Sequence, residues 1–203
     1  MNVTAASNEV KSATEQVAGE ARVQRADARR NRAKVLLSAR TLFAEKGLDA
    51  QIDEIARDAR VGVGTVYRHF PTKEDLLQAL ADERFFGLAE AAQAALADDD
   101  PGRGFVDFMT YAARAMAEDR ALSEAMDQLP GLCRTSAERV EMLRLTGEVL
   151  GRAQASGDIR EDLVAEDIPA LICGLGRAVR SEVERPTMSW QRYLEIMLAG
   201  MRA

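Results

Sequence analysis

The sequence predicts an all-α protein in two parts, a small helical head and a larger helical body. Three observations carry this. Apolar residues recur at three- and four-residue intervals along most of the 203-residue chain, the period of a helix with one buried face. Aromatic residues make up only 5% and Pro only 5 positions, while Ala, Leu, Arg and Glu abound, a composition that favours helix over strand. No stretch shows the apolar–polar alternation of a half-buried strand, and no long repeat is visible. A chain of this length buries a sizeable core.

Taken in order, residues 1–26 are polar and small. Val10, Ala13, Val17 and Ala21 keep helical spacing after a possible Asn8 cap, but they are too small to bury much area, so a mobile or weakly helical arm is predicted. A first helix runs from about Asp27 to Lys46, turning Leu36, Ala39, Leu42 and Phe43 inward and ending at Gly47. A second covers about Ile52 to Ala59 on the stripe Ile52, Ile55, Ala56 and Ala59. After a turn at Arg60 to Gly62, a third spans about Val63 to Phe70, burying Val63, Val66 and Phe70. Thr72 caps the fourth, with Asp75 as its capping-box partner, and that helix continues to about Ala97.

Asp98-Asp99-Asp100-Pro101-Gly102 is the clearest break in the chain. Beyond it Phe105, Phe108, Met109, Ala112 and Met116 form one stripe. A short helix follows from about Arg120 to Leu129, ending at Pro130-Gly131. The helix from about Ser136 to Ala155 is apolar on two faces, Val140, Leu143 and Leu150 on one and Met142, Leu145 and Val149 on the other, as an enclosed helix is. Ser156-Gly157-Asp158 stops it. Two last helices cover about Ala165 to Glu184, ending before Pro186, and Ser189 to Met201.

Net charge is −6, but its distribution is uneven: residues 1–75 hold 13 Lys and Arg against 11 Asp and Glu, and the rest 14 against 22. Arg22, Arg25, Arg29, Arg30, Arg32 and Lys34 face only Asp27. A basic end on an acidic body concentrates attraction for anions on one surface. Cys133 and Cys173 are read as isolated small core residues rather than a disulfide or metal pair. With no 18-residue apolar run and no leader pattern, a cytoplasmic protein without a membrane partner is expected. One histidine, no cysteine–histidine spacing and no phosphate-binding glycine loop argue against an enzyme, and no metal or cofactor is expected.

The second and third helices, two short helices over a tight turn, make a helix-turn-helix. The latter carries Thr65, Tyr67, Arg68, His69 and, just past its end, Lys73, all donors to phosphate oxygens or base edges. Such a helix lies in the major groove with its first residues on base edges. That makes Val63, Gly64 and Thr65 candidate readers, with Arg68 foremost because its fork can make two bonds to guanine. One such unit touches too few base pairs to find a site in a genome, so a dimer on a palindrome of double-stranded DNA is expected.

The run Thr65-Val66-Tyr67-Arg68-His69-Phe70-Pro71-Thr72-Lys73-Glu74-Asp75-Leu76, placed after the right preceding helix, closely resembles the DNA-binding domain of the tetracycline-repressor (TetR) family of bacterial regulators. The resemblance is strong over residues 28–80 and architectural beyond. It implies a helix-turn-helix domain over residues 27–72 after an arm at 1–26, and a regulatory and dimerisation domain over 73–203. It also implies phosphate contacts by Thr65, Tyr67, His69 and Lys73, and a homodimer through the last two helices. Leu171, Leu175, Val179, Tyr193 and Met197 are the interface candidates, with Gly174 and Gly176 allowing close approach. The middle helices would enclose a pocket for a small-molecule effector, with Phe105, Phe108, Met109, Tyr111, Met116, Met126 and Met142 as candidate lining and Arg114, Arg144, Glu148 and Arg177 as candidate anchors. The expected function is a ligand-responsive repressor; the alternative is a ligand-independent regulator or activator. Methionine-rich stripes also serve as plain core.

Two positions depart from the family pattern and join the DNA-contact candidates. Gln51 stands where Thr usually opens the second helix and is a poorer cap. Arg60 stands where the turn usually has Gly. If position 60 is left-handed, the side chain costs on the order of 1 kcal/mol, which a cation beside bound DNA would offset; a slightly altered turn is the simpler expectation.

Overall fold

A computed structural model describes residues 3–129, 136–181 and 189–203. Among these residues the chain forms α1 (Val3–Lys46), a 3-10 turn (Gly47–Asp49), α2 (Ile52–Asp58), α3 (Val63–His69), α4 (Lys73–Ala97), α5 (Pro101–Glu118), α6 (Arg120–Gln128), α7 (Ala137–Ala155), α8 (Asp167–Ser181) and α9 (Trp190–Met201). Extended structure among them is limited to one bridge, Ile159 to Arg202, with Arg160 N–H donating to Met201 O at 3.0 Å beside it. The all-helical class is therefore observed. Most boundaries agree with the periodicity to within a residue or two.

Helix α1 is the exception, beginning at Val3 rather than Asp27. Once the packed portion has nucleated, each further residue adds a hydrogen bond without a new nucleation cost. The Ala-, Glu- and Arg-containing segment needs no buried stripe to extend it. Cys133, the Pro130-Gly131 stop and the end of the helix before Pro186 lie outside the described residues.

Local signals set the other boundaries. Thr72 Oγ1 accepts from Asp75 N–H at 3.1 Å, and Thr72 N–H donates to the Asp75 carboxylate at 3.0 Å, a reciprocal capping box. Asp100 caps α5 by accepting from Arg103 N–H at 2.9 Å, with Pro101 in the first turn, where its missing N–H costs nothing. Gly157, at φ 81°, ends α7 in the left-handed region, which lets Asp158 N–H reach Ala153 O at 3.1 Å.

The buried residues form one continuous core from Val35 to Met201. Helix α4 packs most extensively on α7 and α5. A Cβ on Gly104 would sit 2.6 Å from the Ala95 carbonyl oxygen, so α4 and α5 cross at backbone contact. Arg152 Nη1 donates to Leu96 O at 2.6 Å, closing the C-terminal end of α4. Leu36, Ala39, Phe43, Ile55, Val66 and Phe70 are buried as expected. Val63 and Val140 are exposed instead. Val63 opens α3 beside the turn, and so short a helix is anchored by Val66 and Phe70, one turn apart. Val140 lies on the outer side of α7, whose Met142, Leu145 and Val149 face inward. Among the described residues no helix is long and apolar enough to cross a membrane.

Candidate nucleic-acid interface

The turn between α2 and α3 is built on a left-handed Arg60, φ 55°. Arg60 N–H donates to Arg57 O at 3.2 Å and Val61 N–H to Ala56 O at 3.0 Å, the paired bonds of a Schellman motif. The geometry usual for glycine is thus kept by an arginine, with its side chain exposed. Arg60→Gly is expected to raise stability by about 1 kcal/mol in thermal melts. The same change should weaken DNA binding and lower its salt slope by about 0.9. Unchanged DNA affinity would leave Arg60 without a role at the interface.

Gln51 precedes α2 but does not cap it through its own side chain. Its Nε2 donates back to Asp49 O at 2.7 Å, and its N–H donates to Glu54 at 3.2 Å. Glu54 also accepts from Lys46 Nζ at 2.7 Å. These two bonds, that from Lys46 foremost, hold the Glu54 carboxyl below its ordinary pKa. The start of α2 is therefore fixed by Glu54, while Gln51 stays exposed.

On α3 the buried Val66 and the half-buried Thr65 and His69 hold the helix down, while Val63, Gly64, Tyr67 and Arg68 are exposed. Those four occupy one helical face. Phe70 is 2% exposed and carries the Arg32 guanidinium 5.4 Å from its ring centroid, a cation–π contact that ties α1 to the end of α3. Position 32 continues the α1 stripe of Leu36, Ala39 and Phe43 toward the N-terminus, with Arg29, Arg25 and Arg22 beyond it. The core-facing stripe of α1 thus becomes a basic stripe as it leaves the core, a change that the residue spacing alone carries. Arg30 pairs with Asp27 along the same helix.

Lys73 is placed differently from the other candidates. It is half-buried, its ammonium donates to Leu48 O, and it lies 5.6 Å from the Phe43 ring centroid. In this structure its charge ties the start of α4 to the 3-10 turn.

Comparison with known proteins agrees with this geometry. Residues 35–80 match the model of bacterial regulatory proteins of the tetR family, and residues 100–203 match the C-terminal domain of SbtR-like transcriptional regulators. The chain belongs to the TetR family. A curated relative, the transcriptional repressor KstR of Mycolicibacterium smegmatis, is 33% identical over 141 residues, covering 67% of this chain and 69% of KstR. A solved TetR regulatory protein from Mycobacterium vanbaalenii superposes with TM-score 0.64 at 34% identity, covering 89% of this chain and 99% of that one. RolR, solved with resorcinol bound, superposes with TM-score 0.55 at 26% identity over 87% of this chain and 90% of its own. TetR proteins are DNA-binding transcriptional regulators and not enzymes, and this chain is one.

Within this TetR body, Phe108, Met116, Met126 and Met142 border an apolar cavity of about 170 Å³ between α4, α5, α6, α7 and α8. Phe105 and Met109 do not reach it, being packed in the core at 1% and 0% exposure. Tyr111 faces a separate polar cleft with Arg40, Glu83 and Asp119. Arg114, Arg144, Glu148 and Arg177 are exposed and do not line the apolar cavity. Arg114 pairs with Glu118 at 2.8 Å, and Arg144 pairs with Glu141 at 2.7 Å and also with Glu148. The most deeply buried charged group that lines the cavity is Arg84, which the sequence reading passed over. It sits on the apolar stripe of Leu77, Leu80, Ala81 and Leu88, and that misplaced charge was the available signal. Of the residues considered for dimerisation, Leu171, Val179, Tyr193 and Met197 are half-buried in the protomer, whereas Leu175 is already buried within it.

Proposed function

We propose that this TetR regulator is a ligand-responsive homodimeric repressor that reads a palindromic operator in the cytoplasm. The carrying observation is the exposed face of Val63, Gly64, Tyr67 and Arg68, set on a helix fixed from below by Val66 and Phe70. Residues 27–72 act as the reading head and 73–203 as the body, with α4 belonging to both. Arg68 reads a base, while Thr65, Tyr67 and His69 grip phosphates with Gln51 and Arg60 at their flank; Lys73 adds its charge from the base of α4. Half-buried Leu171, Val179, Tyr193 and Met197, next to the exposed Ile196, support a partner surface on α8 and α9. The apolar cavity, and the resorcinol bound by RolR, support an effector. The repressor KstR among the relatives supports repression.

Selection of genomic fragments on the purified protein should yield an inverted repeat near promoters, released when the effector is supplied. A protein that retained no duplex at low salt would refute this reading.

The basic part of α1 should add a sequence-independent grip. Deleting residues 1–26 removes Arg22 and Arg25 but spares the packed portion of α1, so folding persists. The salt slope should fall by about 0.9 per lost phosphate contact, with affinity falling alike at all sequences. Equal salt dependence for the truncated and full-length chains would make the segment a solvated tail.

A further inference from the structure

The cavity between α4, α5, α6, α7 and α8 has an uneven chemistry. Its walls include Phe85, Phe108, Met142 and Ile172, yet two arginines, Arg84 and Arg139, also line it, and its described lining includes no Asp or Glu. The Arg84 side chain is only 6% exposed. Its Nη2 is well occupied, donating to Asp119 O at 2.9 Å and lying 3.4 Å from the Asp119 carboxylate. Its Nη1 meets only Ser123 Oγ at 3.0 Å and the sulfurs of Met116 and Met126 at 3.4 and 3.7 Å. Ser123, Met116 and Met126 all line the cavity.

Thioether sulfurs are weak acceptors. The inner edge of a buried, permanently charged fork therefore faces the apolar space with no anion on it. Burial holds this guanidinium below its ordinary pKa, and Asp119 offsets part of that cost from the other edge. Arg139, half-buried on α7, has no ion pair to its guanidinium among the described residues. An arginine fork on an apolar wall matches a planar carboxylate in geometry and charge. The size fits a compact body, since a cavity of roughly 150 Å³ accepts one benzene ring.

We propose that the cavity receives a small organic carboxylate carrying about one ring of apolar bulk, its head group on the Nη1 edge of Arg84 with Arg139 as a second cation. This deepens the ligand-responsive reading and rests on it. A neutral ring of the same shape fills the space but leaves the Nη1 edge on one hydroxyl and two thioether sulfurs with no anion, so it binds less well.

The test is calorimetric titration of the full-length protein with benzoate, phenylacetate and 3-phenylpropanoate, each against its amide. At least one acid is expected to bind about 10-fold or more tighter than its amide, as a charge-assisted bond provides. Arg84→Met should remove that preference while leaving amide affinity within about 2-fold, and Arg139→Gln should reduce it less. Should Arg84→Met fail to fold, Arg139→Gln still carries the test. Amides that bind as well as their acids, or acids that all fail to bind at millimolar concentration, would overturn the proposal. Operator release, measured beside binding, separates the two readings. Release by an amide alone keeps ligand response and removes the carboxylate site. Arg84-dependent acid binding without release keeps the site and removes ligand response.

Discussion

Phe70→Ala should destabilise the protein by about 3–5 kcal/mol, the cost of emptying a fully buried aromatic site, and abolish DNA retention at every sequence. Phe70 closes α3, donating its N–H to Val66 O at 2.8 Å, and its ring supports the Arg32 guanidinium. Helix α3 has only 7 residues, far below the length at which a helix persists alone, so packing by Val66 and Phe70 is what keeps it formed. Thermal or urea denaturation at fixed protein concentration checks the loss. Phe86→Ala is the control: Phe86 is 59% exposed, and its loss should stay within about 0.5 kcal/mol. A Phe70→Ala protein that melted with the parent would mean that α3 is held by something else.

Arg68→Ala carries the second large effect, on specificity rather than on folding. Arg68 is exposed on α3, so its removal opens no cavity and the melting temperature should stay put. If it makes two bonds to one guanine, affinity for the best operator falls by about 1–3 kcal/mol. Sites selected by the variant should then lose preference at a single position of each half-site. Uniform weakening at all sequences, with a shallower salt slope, would make Arg68 a phosphate contact instead.

The helices were legible in this chain because local and tertiary signals coincide. Thr72 with Asp75, Asp100 with Pro101, and Ser156-Gly157 each mark a boundary by their own chemistry, and the stripes between them have the right period. Arg60 shows how far that reached, since the left-handed turn persists despite its residue. What escaped has a common cause, namely dependence on distant residues. Whether Lys73 points to solvent or to Leu48 depends on where the 3-10 turn docks, 25 residues upstream. Val63 and Val66 look alike in the sequence, and only the packing of α3 separates an exposed valine from a buried one. Arg84 belongs to an apolar stripe but answers to Asp119, which caps α6, and to Ser123 on α6. The N-terminal extension of α1 was missed for a different reason: its small apolar residues, Val10, Ala13, Val17 and Ala21, make too weak a stripe in the sequence to mark a helix.

The closure of α4 at its far end has a mechanical consequence. Gly104 against Ala95 and Arg152 on the Leu96 carbonyl fix that end in the body, while the near end carries α3 through the Thr72 cap and Lys73. A helix of 25 residues is about 37 Å long at about 1.5 Å per residue. With such a fulcrum, a tilt of about 5° swings the near end through about 3 Å, close to the roughly 3.4 Å rise of one base-pair step. The α4 residues that line the cavity, Arg84, Phe85 and Leu88, lie nearer that fulcrum, so a shift of about 1–1.5 Å there would correspond to about 3 Å at α3.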